Sequence, residues 1–149
     1  MRIERLNRVM EKLEAMGIGQ MIISDPVSIF YLTDYHCDPG ERLFAFYVNK
    51  SGENKLFVNH LFAVPEDLGI ELVRFSDTDN YVGMLCDAVD KSAPLGVDKV
   101  LPAKFLLPLI HSCPDTDFRL TSICVDEVRA CKDAEERERM RIEIGRAHV

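Results

Sequence analysis

Gln20-Met21-Ile22-Ile23-Ser24-Asp25-Pro26-Val27-Ser28-Ile29-Phe30-Tyr31-Leu32-Thr33 is the stretch that decides the fold. Residues 20–24 form a short apolar run of the length and composition of a buried strand. Asp25-Pro26 then changes the period. Asp is a good helix N-cap, and proline's fixed φ and missing N–H suit the first helical position. The helix that follows carries Ile29, Phe30 and Leu32 and ends near Thr33. A strand, a sharp cap and a helix in succession are the building unit of a layered α/β domain.

Upstream, Ile3, Leu6, Val9, Met10, Leu13 and Met16 recur at helical spacing among Glu, Arg and Lys, which predicts an amphipathic helix over residues 3–16. Gly17 stops it as a left-handed residue beyond the C-cap. Gly17-x-Gly19 precedes the strand, whereas a dinucleotide fingerprint follows one and opens a helix. Downstream, the polar loop 34–42 leads into a hairpin, with strands at 43–48 and 55–59 joined by the turn 49–54. A short helix is expected around Leu61-Phe62-Ala63 and a strand at 70–75. Next comes a helix capped by Asp77 or Thr78, carrying Tyr81, Met84, Leu85, Ala88 and Val89. A brief strand at 94–98 precedes a helix opened by Pro102 and kinked at Pro108. A last strand at 117–123 and a charged helix from Asp133 to about Ile144 complete the order. The fold class is therefore α/β: three α/β/α layers around a mixed, mostly parallel sheet of about six strands. One strand, from the hairpin, is antiparallel.

Composition narrows the function. The 149 residues are 47% hydrophobic and carry a net charge of -7. A chain of this length buries about 70% of its unfolded surface, enough for one real core. Lys and Arg are scattered among more numerous acids, which speaks against a nucleic-acid partner. No apolar run approaches the ~18 residues of a membrane span. Residues 1–5 turn charged at once without an apolar leader, so a cytoplasmic chain is expected. The five cysteines, Cys37, Cys86, Cys113, Cys124 and Cys131, are odd in number and lack C-x-x-C spacing. They read as reduced thiols, three or four of them core fillers, rather than a disulfide framework or zinc knuckle.

Searches for chemistry return no complete catalytic site. There is no His-Glu-x-x-His, and His36, His60, His111 and His148 lie far apart. No Gly-x-Ser-x-Gly occurs, and Ser51-Gly52-Glu53-Asn54-Lys55 is a hairpin turn without the helix of a phosphate loop. His36-Cys37-Asp38 offers three ligand types, but adjacent residues chelate one ion poorly, and a solvated loop is the plainer reading. Glu41-Arg42 differs in kind. At a loop end beside Gly40, Arg42 is suited to bidentate binding of a carboxylate, on a substrate or on another chain. Its alternative is a local salt bridge at a strand edge.

Arg5-Leu6 with Met10 and Gly17, Ile22-Ile23-Ser24-Asp25-Pro26, Ile29-x-Tyr31-Leu32-Thr33, Glu41-Arg42 and Gly96-Val97-Asp98 occur in an order that resembles the N-terminal domain of the creatinase, prolidase and aminopeptidase P family. Residues 125–136, Val-Asp-Glu-Val-Arg-Ala-Cys-Lys-Asp-Ala-Glu-Glu, resemble the segment that leads from that domain into the catalytic one. The resemblance covers residues 2–141 and implies a ribonuclease H-like α/β fold over residues 1–131. Residues 132–149 would be a linker helix toward an absent catalytic domain of pita-bread fold. Residues 145–149 read either as native or as a vector-derived tail.

The resemblance further implies a non-catalytic role here. Catalysis would belong to the following domain, where two divalent metal ions (manganese, cobalt or zinc) activate water against the bond before proline. No metal ligand or catalytic residue falls in this chain. The implied partners are the chain's own catalytic domain, a second copy in a homodimer and a proline-containing peptide. Arg42, with Glu41 orienting it, would contact the substrate site of the other subunit. The sequence departs from the family pattern at Asp34, where Gly is frequent, and at Cys37-Asp38-Pro39-Gly40. Two alternatives stand beside this reading: a stand-alone α/β domain that binds a partner or small molecule, and the N-terminal domain of a creatinase-like amidinohydrolase.

Overall fold

The computed structural model describes residues 1–147. His148 and Val149, part of the segment read as a possible tail, lie outside the described residues. The elements in order are α1 (Ile3–Ala15), β1 (Gln20–Ile23), α2 (Pro26–Thr33), β2 (Ala45–Asn49), β3 (Lys55–Asn59), β4 (Glu71–Phe75), α3 (Tyr81–Ala88), β5 (Leu95–Val97), α4 (Ala103–Ser112), β6 (Phe118–Leu120), α5 (Ser122–Ala130) and α6 (Ala134–Ala147). The six strands form one sheet in the order β4-β3-β2-β1-β5-β6. β2 runs antiparallel to both β1 and β3, while the β1–β5, β3–β4 and β5–β6 pairings are parallel. The sheet is thus mixed, with β2 of the hairpin as its one reversed strand, as expected from sequence.

Strand alternation builds two cores on the two faces. Met21, Ile23, Phe46, Val48, Leu56 and Val58 point to one face. There they meet Leu6, Val9 and Leu13 of α1, Ile29 and Leu32 of α2, and Val125 and Val128 of α5. Ile22, Ala45, Tyr47 and Phe57 point to the other, against Leu85 of α3 and Phe105 and Leu109 of α4. Each fully buried aliphatic or aromatic side chain contributes roughly 1.5–3 kcal/mol. β1, buried along its whole length between both layers, explains why residues 20–23 read as a continuous apolar run. Gly96 on β5 lies so close to Thr121 that any Cβ there would strike its side chain.

Several expectations need correction. No helix forms around Leu61-Phe62-Ala63; the segment turns, with Phe62 N–H donating to Asn59 O at 3.1 Å. α3 is capped by Asn80, whose side chain accepts from Gly83 N, and not by Asp77 or Thr78. The strand expected from Leu43 begins at Ala45, and the one expected from Ile70 begins at Glu71. The largest miss is the final strand. It spans only Phe118–Leu120, after which Thr121 leaves extended geometry and α5 begins at Ser122. β-branched Thr121, Ile123 and Val125 mimic a strand, but buried Cys124, Val125 and Val128 follow a helical face.

Candidate functional site at the strand ends

Because β1, β3, β4, β5 and β6 share one direction, their C-terminal ends line one edge of the sheet. Open α/β sheets place ligands at this edge. The reversed β2 starts there, which brings Glu41 and Arg42 to the same edge.

Two carboxylates mark it. Asp98, next after β5, is 7% exposed and accepts three hydrogen bonds: from Ser24 N at 2.8 Å, Asp25 N at 2.8 Å and Ser24 Oγ at 2.6 Å. It stitches the end of β1 to the end of β5. Asp25 is spent beside it as the α2 cap, accepting from Val27 N at 3.3 Å and Ser28 Oγ at 2.8 Å.

The second carboxylate, Asp77, follows β4. Arg42 donates to it through Nε at 3.2 Å and a terminal nitrogen at 3.3 Å, and Asn59 Nδ2 donates at 2.8 Å. The Arg42 fork holds the Asp77 carboxyl below the usual carboxylate range. The Arg42 and Asp77 side chains are 41% and 62% exposed. They line an open cleft of 270 Å³ together with Glu41, Leu43, Tyr81 and Lys104. Of the two residues singled out from sequence, Arg42 reaches the cleft as a cation, but its fork engages Asp77 rather than Glu41. Asp77, 35 residues away in the chain, had no sequence signal beyond its misassigned cap role. The cleft thus gathers two cations, Arg42 and Lys104, and two carboxylates, Glu41 and Asp77.

Cys37 is buried, and desolvation pushes its thiol up. Tyr35 beside it is raised to about 12, chiefly by burial. His36 packs edge-on against the Phe30 ring at 6.0 Å. Among the described residues no three His, Cys, Asp or Glu side chains converge as metal ligands.

A third polar cluster fixes the start of α6. Arg5 is 8% exposed and donates to Asp133 Oδ2 at 3.0 and 2.8 Å and to Tyr31 O at 2.8 Å, with its guanidinium 4.2 Å from the Tyr31 ring centre. Asp133 and Glu136 form a reciprocal capping box: Asp133 N donates to Glu136 at 2.9 Å and Glu136 N to Asp133 at 2.8 Å. The Glu136 N–H and then Arg5 hold the Asp133 carboxyl below its ordinary range. Arg2 adds ion pairs to Asp34 at 2.8 Å and Glu135 at 2.9 Å. The reach of Arg2 and Arg5 to the last helix was not foreseen from sequence, since Glu135 and Asp133 lie 133 and 128 residues away.

The layers and the strand-end cleft define a three-layer α/β domain with a mixed sheet and one reversed strand. The chain belongs to the creatinase/prolidase N-terminal domain family, whose model matches residues 5–131. An uncharacterized peptidase of Staphylococcus saprophyticus is 33% identical over 81 residues, covering 51% of this chain and 23% of that protein. One from Staphylococcus aureus is 27% identical over 92 residues, covering 58% of this chain and 26% of that protein. The chain spans about a quarter of the length of these curated relatives. Among solved structures, a proline dipeptidase from Streptococcus pneumoniae superposes with a TM-score of 0.77 at 23% identity, covering 89% of this chain and 100% of that one. A prolidase from Thermococcus sibiricus gives 0.82 at 18% identity, over 93% of this chain and 39% of that one. At these identities the superpositions establish the fold.

Proposed function

We propose that this chain is the non-catalytic N-terminal domain of a cytoplasmic, proline-specific metallopeptidase of the Xaa-Pro dipeptidase or aminopeptidase P kind. In this reading it joins a homodimer, and the Arg42 cleft shapes the substrate site of the partner subunit. The family match over residues 5–131 carries the reading. Support comes from the relatives named as peptidases, which extend well beyond the matched region. The catalytic domain, which would follow α6, would hold two divalent metal ions that supply an activated water. This chain's own part is to position. Arg42 would leave Asp77 and take the substrate carboxylate, a like-for-like exchange of fork partners. Glu41 and Lys104 would set the charge around it.

Two measurements test this. The 149-residue chain, assayed on Xaa-Pro dipeptides with manganese, is expected to give no turnover above background; turnover would defeat the non-catalytic assignment. In the full-length protein, Arg42→Ala is expected to raise KM for Xaa-Pro dipeptides by about 10-fold or more, the loss of a charge-assisted pair. Unchanged KM and kcat would remove Arg42 from substrate binding. Turnover of a small guanidino substrate, and none of dipeptides, would favour the amidinohydrolase reading.

A further inference from the structure

We propose that Cys86 and Cys113 form a disulfide that cross-links α3 to α4 when the protein meets a low-molecular-weight disulfide oxidant. Cys86 lies in the last turn of α3, and Cys113 is the C-cap of α4. Their sulfur atoms stand 2.6 Å apart, and both residues are buried, at 5% and 2% exposure. A covalent S–S bond is about 2.05 Å long, so closing the bond needs a shift of only about half an ångström. No other pairing is prepared. Cys37 and Cys124 belong to the core on the opposite face of the sheet, and Cys131 is exposed beyond α5. The two thiols are 27 residues apart in sequence, and nothing in their spacing announces the pair.

The chemistry balances as a two-step exchange. The Cys86 thiolate attacks one sulfur of the oxidant disulfide and releases one thiol. Cys113, after losing its proton, then attacks the Cys86 sulfur of the mixed disulfide and releases the second. The two protein thiols are oxidised, the oxidant disulfide is reduced to two thiols, and the two protons end on those products. Burial and then the Cys86 neighbour push the Cys113 thiol up to about 11. Exchange in the folded state is therefore slow and proceeds through local opening of the α3–α4 contact.

The consequence reaches the strand-end cleft. Tyr81 at the start of α3 and Lys104 at the start of α4 both line it, and the Tyr81 ring meets Phe105 of α4 edge-on at 5.8 Å. A bond between the far ends of the two helices fixes the wall that carries both residues.

The test incubates the reduced 149-residue chain with glutathione disulfide, blocks free thiols and maps peptides by mass spectrometry. The expected result is a Cys86–Cys113 linked peptide, an intact mass lower by two hydrogens and a rise in Tm of about 5–10 °C that a reductant reverses. Dilute urea should speed the reaction without changing the pairing. Cys131→Ser should retain the link, and Cys86→Ser should abolish it. Because the wild-type peptide map decides the pairing, a poorly folding variant does not obscure the answer. Recovery of only a glutathione adduct at Cys131, or of a link between any other pair, would overturn the proposal.

Discussion

Asp98 and Asp77 stand on the same edge of the same sheet, each just past a strand, and each accepts three hydrogen bonds. They differ in what donates. Asp98 takes two backbone N–H groups and a neighbouring hydroxyl, those of Ser24 buried and that of Asp25 partly so. Asp77 takes side-chain donors, and its pair with Arg42 is largely open to water. A buried carboxylate that satisfies backbone groups holds chain segments together, because removing it strands those groups without water. An exposed carboxylate on an arginine is replaceable, since water or another anion can take its place. The first therefore reads as structure and the second as a surface with capacity to bind.

The largest expected effect follows from the first half of that contrast. Asp98→Ala strands buried Ser24 N and partly buried Asp25 N and should cost about 3 kcal/mol, read from the urea midpoint. A midpoint within error of wild type would mean that the clasp does not join β1 to β5. Arg5→Ala comes next, at about 2 kcal/mol. The guanidinium is buried, but its Asp133 partner keeps some water, which discounts the loss. The Arg5 cluster also predicts a pH dependence. Asp133 has a depressed carboxyl pKa in the fold, so its contribution is present above the unfolded value of about 4 and disappears as pH falls through the lower folded value. Thermal melts of wild type against Arg5→Ala should therefore converge in acid and separate toward neutrality. A constant gap across that range would place Arg5's contribution in packing on Tyr31 instead. The second half of the contrast predicts that Asp77→Ala costs less stability than Asp98→Ala, because the Arg42 pair is exposed and only the Asn59 amide loses a partly buried acceptor. The same substitution frees Arg42, so binding of a carboxylate ligand should strengthen. Weaker binding would show that Asp77 orients Arg42 rather than competes for it.

The layered fold was legible because it rests on local signals. The Asp25-Pro26 cap, the buried run 20–23 and the hairpin each declare themselves within a few residues, and all three hold in the structure. α5 was missed because its β-branched residues carry strand propensity, which the packing of Val125 and Val128 against α1 and α2 overrides. The cleft was half legible. Arg42 has a loop-end position that sequence can show, whereas Asp77 and Lys104 reach it only through the pairing of β3 with β4 and the docking of α3 and α4. Charge partners separated by 35 to 133 residues leave no periodic trace.

The smallest effect concerns a residue whose backbone conformation favours glycine. Asp34 ends α2 with φ of 64°, the one non-glycine residue with positive φ among those described. Glycine takes this left-handed conformation freely, while another residue gives up about 1 kcal/mol there, somewhat less for Asp. Asp34 recovers part of that by pairing with Arg2 at 2.8 Å, an interaction that is half exposed and modest. Asp34→Gly removes the strain and the ion pair together and adds backbone freedom to the unfolded chain. The three changes nearly cancel, so stability should move by less than about 0.5 kcal/mol, whereas Asp34→Ala keeps the strain, loses the pair and should be the worse variant. Equal midpoints for the Gly and Ala variants would show that the left-handed turn, and not the Arg2 pair, is free of consequence at this position.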